Sequence, residues 1–177
     1  MDKQQFLKGV HLLENNFGEQ PEGKIETMFS IMEKDFDDKT YEMAINYLIK
    51  KWKPPFYNAF PVIADFYDFK ELRIRMRAEK IVSYIRSNWW ISDINKSIDL
   101  KDGALHATIR VFGRKELQYD DFWKYNTKAF IDMYVKKVEY EEWDDRPFRG
   151  NVDEPMNYVD DYCLKLESHI DQLLLEA

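Results

Sequence analysis

One cysteine, six glycines, six prolines and three histidines are all that a chain of 177 residues offers among the types that staple, punctuate or ligate. A lone Cys163 closes no internal disulfide, which points to a reducing, intracellular setting. Six Gly and six Pro are few for an all-β domain, which needs frequent turns. The glycines are scattered, and neither GxGxxG nor GxxxxGK[ST] occurs. The phosphate-cradling loop that an ATP-driven motor would need is therefore missing. Cys163 with His11, His106 and His169 does not supply the closely spaced ligands of a zinc site. Cys163 and His169 lie six residues apart on one expected helix and do not face each other, so they make no nucleophile–base pair. No apolar run approaches the length that spans a bilayer, and MDKQQFLKGV has no signal-peptide core. The expectation is a cytoplasmic protein that is not an enzyme, with no catalytic residue, no cofactor and no metal.

Apolar residues make up 45% of the chain and aromatics 16%, ample for a packed core. The net charge of −7 is poor material for gripping phosphates, so direct nucleic-acid binding is not expected. Phe6, Val10, Leu13 and Phe17 recur at helical spacing, with Gly18 placed as a C-terminal cap. Ile25, Met28, Phe29 and Met32 form a second stripe that closes near Phe36. Asp37 or Asp38 is placed to cap a third helix bearing Tyr41, Ala44, Ile45, Leu48 and Trp52, and Pro54-Pro55 stops it. The connector KPPFYNAF is apolar enough to lie against the core.

The stretch from Phe60 to Trp90 organises the rest. Pro61 reads as a helix start. Ile74, Ala78, Ile81, Val82 and Ile85 share one face, Phe69, Leu72 and Met76 another, and Arg73, Arg77 and Lys80 a strip between them. Two apolar faces mark a helix packed from both sides. LRIRMR also alternates with period two, as a strand would, but no neighbouring segment offers a partner strand, so helix is expected. Asp93 to Asp99 reads as a loop or a short turn of helix. A short helix follows over Lys101 to Phe112, capped by Gly113, and a long aromatic one starts at Asp120 or Asp121.

Past the long helix the character changes. Glu139 to Pro155 is acidic and irregular and reads as a linker or loop. In the last segment, Met156 to Glu176, Val159, Cys163, Leu166, Ile170 and Leu173 follow a heptad seam. That pattern suits either a homodimerising or partner-docking helix, or a terminal helix folded back on the domain. The organisation expected is a helical domain over 1–138, an acidic segment over 139–155 and a C-terminal helix over 156–177. In class it is an all-α protein of seven to eight helices.

Two charged clusters invite a functional reading. Glu141, Glu142, Asp144 and Asp145, with Trp143 and Phe148 among them, are the candidate partner-binding residues. Aromatics ringed by charge are the usual make-up of binding hot spots, and complementary charge speeds association. The alternatives are plain solvated acid and a magnesium-dependent nuclease site, although a metal site usually draws its acids from several elements. The basic strip of Arg73, Arg77 and Lys80, with Lys50, Lys51 and Lys53, either touches phosphate or pairs with the chain's own acids.

The segments FLKGVHLLENNF, IETMFSIMEKDF, DDKTYEMAINYLIKKW, FPVIADF and GALHATIRVFGRKELQYDDFWKYNTKAFIDMY, taken in order, give the chain a family look. It resembles small phage proteins that act as loaders or inhibitors of the replicative helicase, over most of residues 6 to 134. Gly113-Arg114-Lys115 stands where relatives often carry Gly-Gly-Trp. The resemblance implies a phage DNA-replication accessory protein that binds a hexameric helicase stoichiometrically. In that group the C-terminal tail engages the helicase, so contact through residues 139 to 177 is implied by analogy. The alternative is a phage-encoded acidic inhibitor of a host nucleic-acid enzyme, presenting acidic surface in place of DNA.

Overall fold

The computed structural model describes residues 1–56, 59–150, 156–158 and 170. Among them are six α-helices: α1 Lys3–Phe17, α2 Glu22–Met32, α3 Asp38–Lys51, α4 Ile63–Ser87, α5 Gly103–Phe112 and α6 Asp120–Glu139. Two short 3-10 helices, Trp89–Ile91 and Arg114–Gln118, accompany them, and the class is all-α. The strand content is one parallel pair, β1 Ile98–Asp99 with β2 Asn157–Tyr158. No helix among the described residues is long and apolar enough to cross a membrane. The chain divides into two compact units, Met1–Arg73 and Ile74–Ile170, at a point inside α4 that no sequence feature marks.

In the first unit the helix ends follow the side-chain chemistry. Asp2 caps α1 by accepting from the Gln4 and Gln5 amides, and Gly18 closes it at a φ of 96°. Asp37 caps α3 through the Thr40 amide. The core is aromatic. Phe6 packs against Phe29 and Tyr41, Tyr41 stacks on Phe66 with centroids 5.8 Å apart, and Phe36 meets Phe66 and Tyr67 edge-on. The buried Tyr41 hydroxyl donates to the Phe6 carbonyl at 3.1 Å, so its one polar atom is satisfied.

The start of α4 differs from the sequence reading in register. Pro61 precedes the helix by two residues, and the entry is fixed instead by Asp65. One Asp65 oxygen accepts from the Val62 amide at 2.7 Å and the other from the Trp52 indole at 2.9 Å. This is the back half of a capping box, a carboxylate in the first turn serving the backbone just before it. The 53–60 connector is only partly against the core: Ala59 and Phe60 are buried, whereas Phe56 is exposed.

Residues 72–77 are helical throughout, so LRIRMR is not a strand. In the second unit, Ala78, Ile81, Val82 and Ile85 are buried on the face expected of them. Arg75 pairs with Asp132 at 2.8 Å and Arg77 with Asp102 at 3.0 Å, so these charges serve internal pairing. On α6, Trp123, Phe130, Tyr134 and Val135 are buried, while Ala129 is exposed. Asp93 to Asp99 ends in a strand rather than a helical turn. The 156–177 segment does not begin as helix, because Asn157–Tyr158 pairs with β1. Ile170 is helical and buried, and the other seam residues lie outside the described ones.

Gly9 shows how closely α1 approaches α3. A Cβ built there would lie 2.5 Å from Tyr41 Cε1 and 2.9 Å from Ile45 Cγ1, whereas one on Gly23 in α2 would meet nothing within 4 Å. Gly9→Ala is expected to destabilise by about 1–3 kcal/mol through overpacking. Gly23→Ala is expected to gain about 0.5 kcal/mol from backbone entropy. Urea denaturation of the two variants checks the pair, and equal effects would contradict the packing described.

Candidate functional site

The site builds from the end of α6. A helix usually ends on glycine in the left-handed conformation, but here Glu141 takes that position at a φ of 52°. The Glu142 amide reaches back to the Lys137 carbonyl at 3.0 Å and the Glu141 amide to the Val138 carbonyl at 3.3 Å. Together these bonds form a Schellman turn. A non-glycine residue held there costs about 1–2 kcal/mol. No Gly or Asn announces this stop, which is why the sequence alone leaves the helix end vague.

Beyond the turn, residues 141–150 run without helix, yet they are fastened along their length. The Asp144 amide donates to the Gly103 carbonyl at 3.0 Å. Phe148 exchanges both backbone hydrogen bonds with Ile98, at 2.8 and 2.9 Å. The Gly150 amide donates to Ser97 Oγ at 3.0 Å. Gly150, which the sequence offers as a linker signal, is there for contact: a Cβ on it would sit 2.0 Å from the Asn95 carbonyl oxygen. The segment is thus a loop seated on α5 and β1.

Its seat is a row of polar residues at four-residue spacing, Asp102, His106, Arg110 and Arg114. Asp102 caps α5 through the Leu105 amide at 2.9 Å, and it also accepts from Arg77 at 3.0 Å and the Tyr134 hydroxyl at 2.9 Å. His106 is 1% exposed; its Nε2 accepts from the Leu100 amide at 3.0 Å, which places the proton on Nδ1, facing the Asp144 carbonyl at 3.2 Å. Arg110 lies over the Phe148 ring at 4.5 Å and approaches the Asp144 carboxylate at 3.3 Å. Arg114, also buried, donates to the Ile91 and Lys96 carbonyls and faces the same ring at 5.4 Å. Burial pulls the Arg114 guanidinium down to about 10, so it stays charged at neutral pH. None of the four was singled out from the sequence for this role, although the D-x3-H-x3-R-x3-R spacing is legible from Asp102 onward.

The six candidate residues separate into two kinds. Phe148 is half-buried, with His106 edge-on to it at 5.2 Å and Arg110 on its face. Asp144 is spent on Arg146 and Arg110, and the Arg146 side chain foremost holds its carboxyl well below the usual range. These two fasten the loop. Trp143 is 60% exposed, and Tyr140, which the sequence reading passed over, is 70% exposed. Glu141 and Asp145 are exposed, and so is Glu142, which also pairs with Lys137. Among the described residues no group of three or more His, Cys, Asp and Glu is placed to hold a metal ion. The chain matches no protein-family model, no curated protein and no solved structure.

Phe148→Ala is expected to destabilise by about 2–3 kcal/mol through lost packing and the loss of its cation contacts. Trp143→Ala is expected to stay within about 0.5 kcal/mol of the parent, as exposed positions do. Chemical denaturation distinguishes the two. Glu141→Gly is expected to stabilise by about 1 kcal/mol by relieving the left-handed strain. A separate outcome concerns pH. Burial, which outweighs the opposing Asp99 carboxylate, lowers His106 from its ordinary 6.5. The unfolded chain therefore takes up the proton first, so stability is fully present above about 6.5 and declines as pH falls toward the lower folded value. Denaturation midpoints measured across that window are expected to fall less steeply in His106→Gln, and identical slopes would contradict this placement of the imidazole.

Proposed function

We propose that the chain is a non-catalytic protein-binding factor that engages a basic partner surface through the turn at 139–145. The observation that carries this reading is the pair of exposed aromatics, Tyr140 and Trp143, on a capped turn with Glu139, Glu141, Glu142 and Asp145 around them. Large rigid aromatics give contact area at small entropic cost, and the surrounding acids steer a cationic surface toward them. Keeping an acid at position 141, where glycine would relieve strain, fits a turn whose charge matters.

For the partner, the phage helicase-loader resemblance supplies the proposal: a hexameric replicative helicase whose loading or activity the chain controls by stoichiometric binding. Purified replicative helicase immobilised for interferometry tests it. Binding is expected to weaken about tenfold in Trp143→Ala and to fall with rising salt, with the melting temperature unchanged. Absence of binding to the helicase would overturn the partner. Binding that Trp143→Ala and Glu141→Lys leave untouched would overturn the surface.

A further inference from the structure

We propose that the chain from Glu142 onward is an exchangeable arm, and that two copies dimerise by trading it, each arm seated on α5 and β1 of the other copy. The hydrogen bonds described between 144–158 and the rest of the chain lead to one seat. The Asp144 amide goes to the Gly103 carbonyl, Phe148 pairs with Ile98, the Gly150 amide goes to Ser97 Oγ, and Asn157 binds the Ser97 carbonyl. His106 and Arg110 reach the Asp144 and Arg146 carbonyls, and the Phe148 ring lies among His106, Arg110 and Arg114. The seat therefore lies within 97–114, whereas the arm is joined to the chain through the end of α6.

The hinge between α6 and the arm is strained. Glu141 sits in the left-handed region, in a turn closed by the Glu142 amide on the Lys137 carbonyl and the Glu141 amide on the Val138 carbonyl. If α6 runs on instead, the same two amides and two carbonyls pair the other way round, Glu141 with Lys137 and Glu142 with Val138. No hydrogen bond is lost, and the strain at Glu141 is relieved. Lys137, which pairs with Glu142 in the turn, then stands four residues from Glu141 on the same helix face. No glycine or proline lies between Asp120 and Pro147 to stop the helix earlier. An α6 that runs straight on carries the arm off its own seat, and a lifted arm alone leaves the backbone groups of Ile98 and Phe148 unpaired. A second copy restores each of those partners, because its seat is identical. Short hinges under strain favour such an exchange. Against it stands the tether, which holds the arm near its own seat at an effective concentration on the order of millimolar. Relief at two hinges favours the dimer about thirtyfold, which puts half-dimerisation at roughly tens of micromolar.

The full chain, held at millimolar concentration near its urea midpoint and returned to buffer, is sized by chromatography with light scattering. A dimer is expected in the parent. It is expected to persist in Glu141→Ala, which keeps the strain and removes the charge, and to weaken about thirtyfold in Glu141→Gly, which relieves the strain in the monomer. The manner of pairing is read separately. A Cβ on Gly103 would lie 2.9 Å from Trp143 Cβ, so a small shift of the exposed loop brings thiols at the two positions into disulfide range. Gly103→Cys and Trp143→Cys on one chain are expected to close within the monomer. Placed on separate chains, mixed and taken through the same cycle, they are expected to join the two chains through the new thiols, as peptide mapping shows. Monomer alone at millimolar concentration, a dimer that Glu141→Gly leaves unchanged or Glu141→Ala abolishes, or new thiols that close within one chain but never between two would each overturn the proposal. Failure to close even within one chain would refute the seat itself.

Discussion

Within the second unit one carboxylate does the work of three. Asp102 caps α5 with one oxygen and holds Arg77 of α4 and Tyr134 of α6 with the other. A carboxylate 8% exposed is tolerable because both of its oxygens have donors, one of them a guanidinium. Removing one partner of such a pair costs more than the pair contributes, typically about 3–5 kcal/mol, because the other charge is left stranded. The positions of α4, α5 and α6 in this unit are therefore coupled through a single side chain. The polar row that follows Asp102 along α5 inherits its register from that anchor.

The loop over α5 illustrates a second constraint. It lacks regular structure, yet its backbone groups have partners in Gly103, Ile98 and Ser97. Irregular backbone packed on a core must satisfy its polar groups individually, and side chains from the supporting helix contribute where the backbone does not. His106 and Arg110 do this with both polar and ring contacts, to Asp144, to the Arg146 carbonyl and to Phe148. Rigidity here comes from many short-range ties and from no secondary structure of its own.

Most of the helical architecture was legible because periodicity and capping are local. The stripe from Phe6 to Phe17, the Asp37 cap and the buried face from Ala78 to Ile85 all follow from spacing that neighbouring residues determine. What escaped sequence reading was non-local. Ile98 reads as loop or helical turn until Phe148 and Asn157 are beside it, and Gly150 reads as part of a linker or loop until Asn95 stands against it. The start of α4 moved from Pro61 to beyond Val62 because Asp65, committed to Trp52 as well, sets the first turn. At the candidate site the exposed acids and Trp143 were visible in the composition of the run. The division of labour between Trp143 outside and Phe148 inside was not, since both are aromatics amid charge and only α5 distinguishes them.

The pairing of Ile98 with Phe148 joins residues 50 positions apart (148 − 98 = 50). Closing a loop of that length carries an entropic cost that the helices packed between the two residues must offset. The seat for the loop exists only where α5 and α6 lie side by side, so the run from Asp144 to Phe148 is held by distant parts of the chain, whereas the turn at Tyr140 is held by α6 itself. A nascent or partly opened chain carries the same residues but not the arrangement.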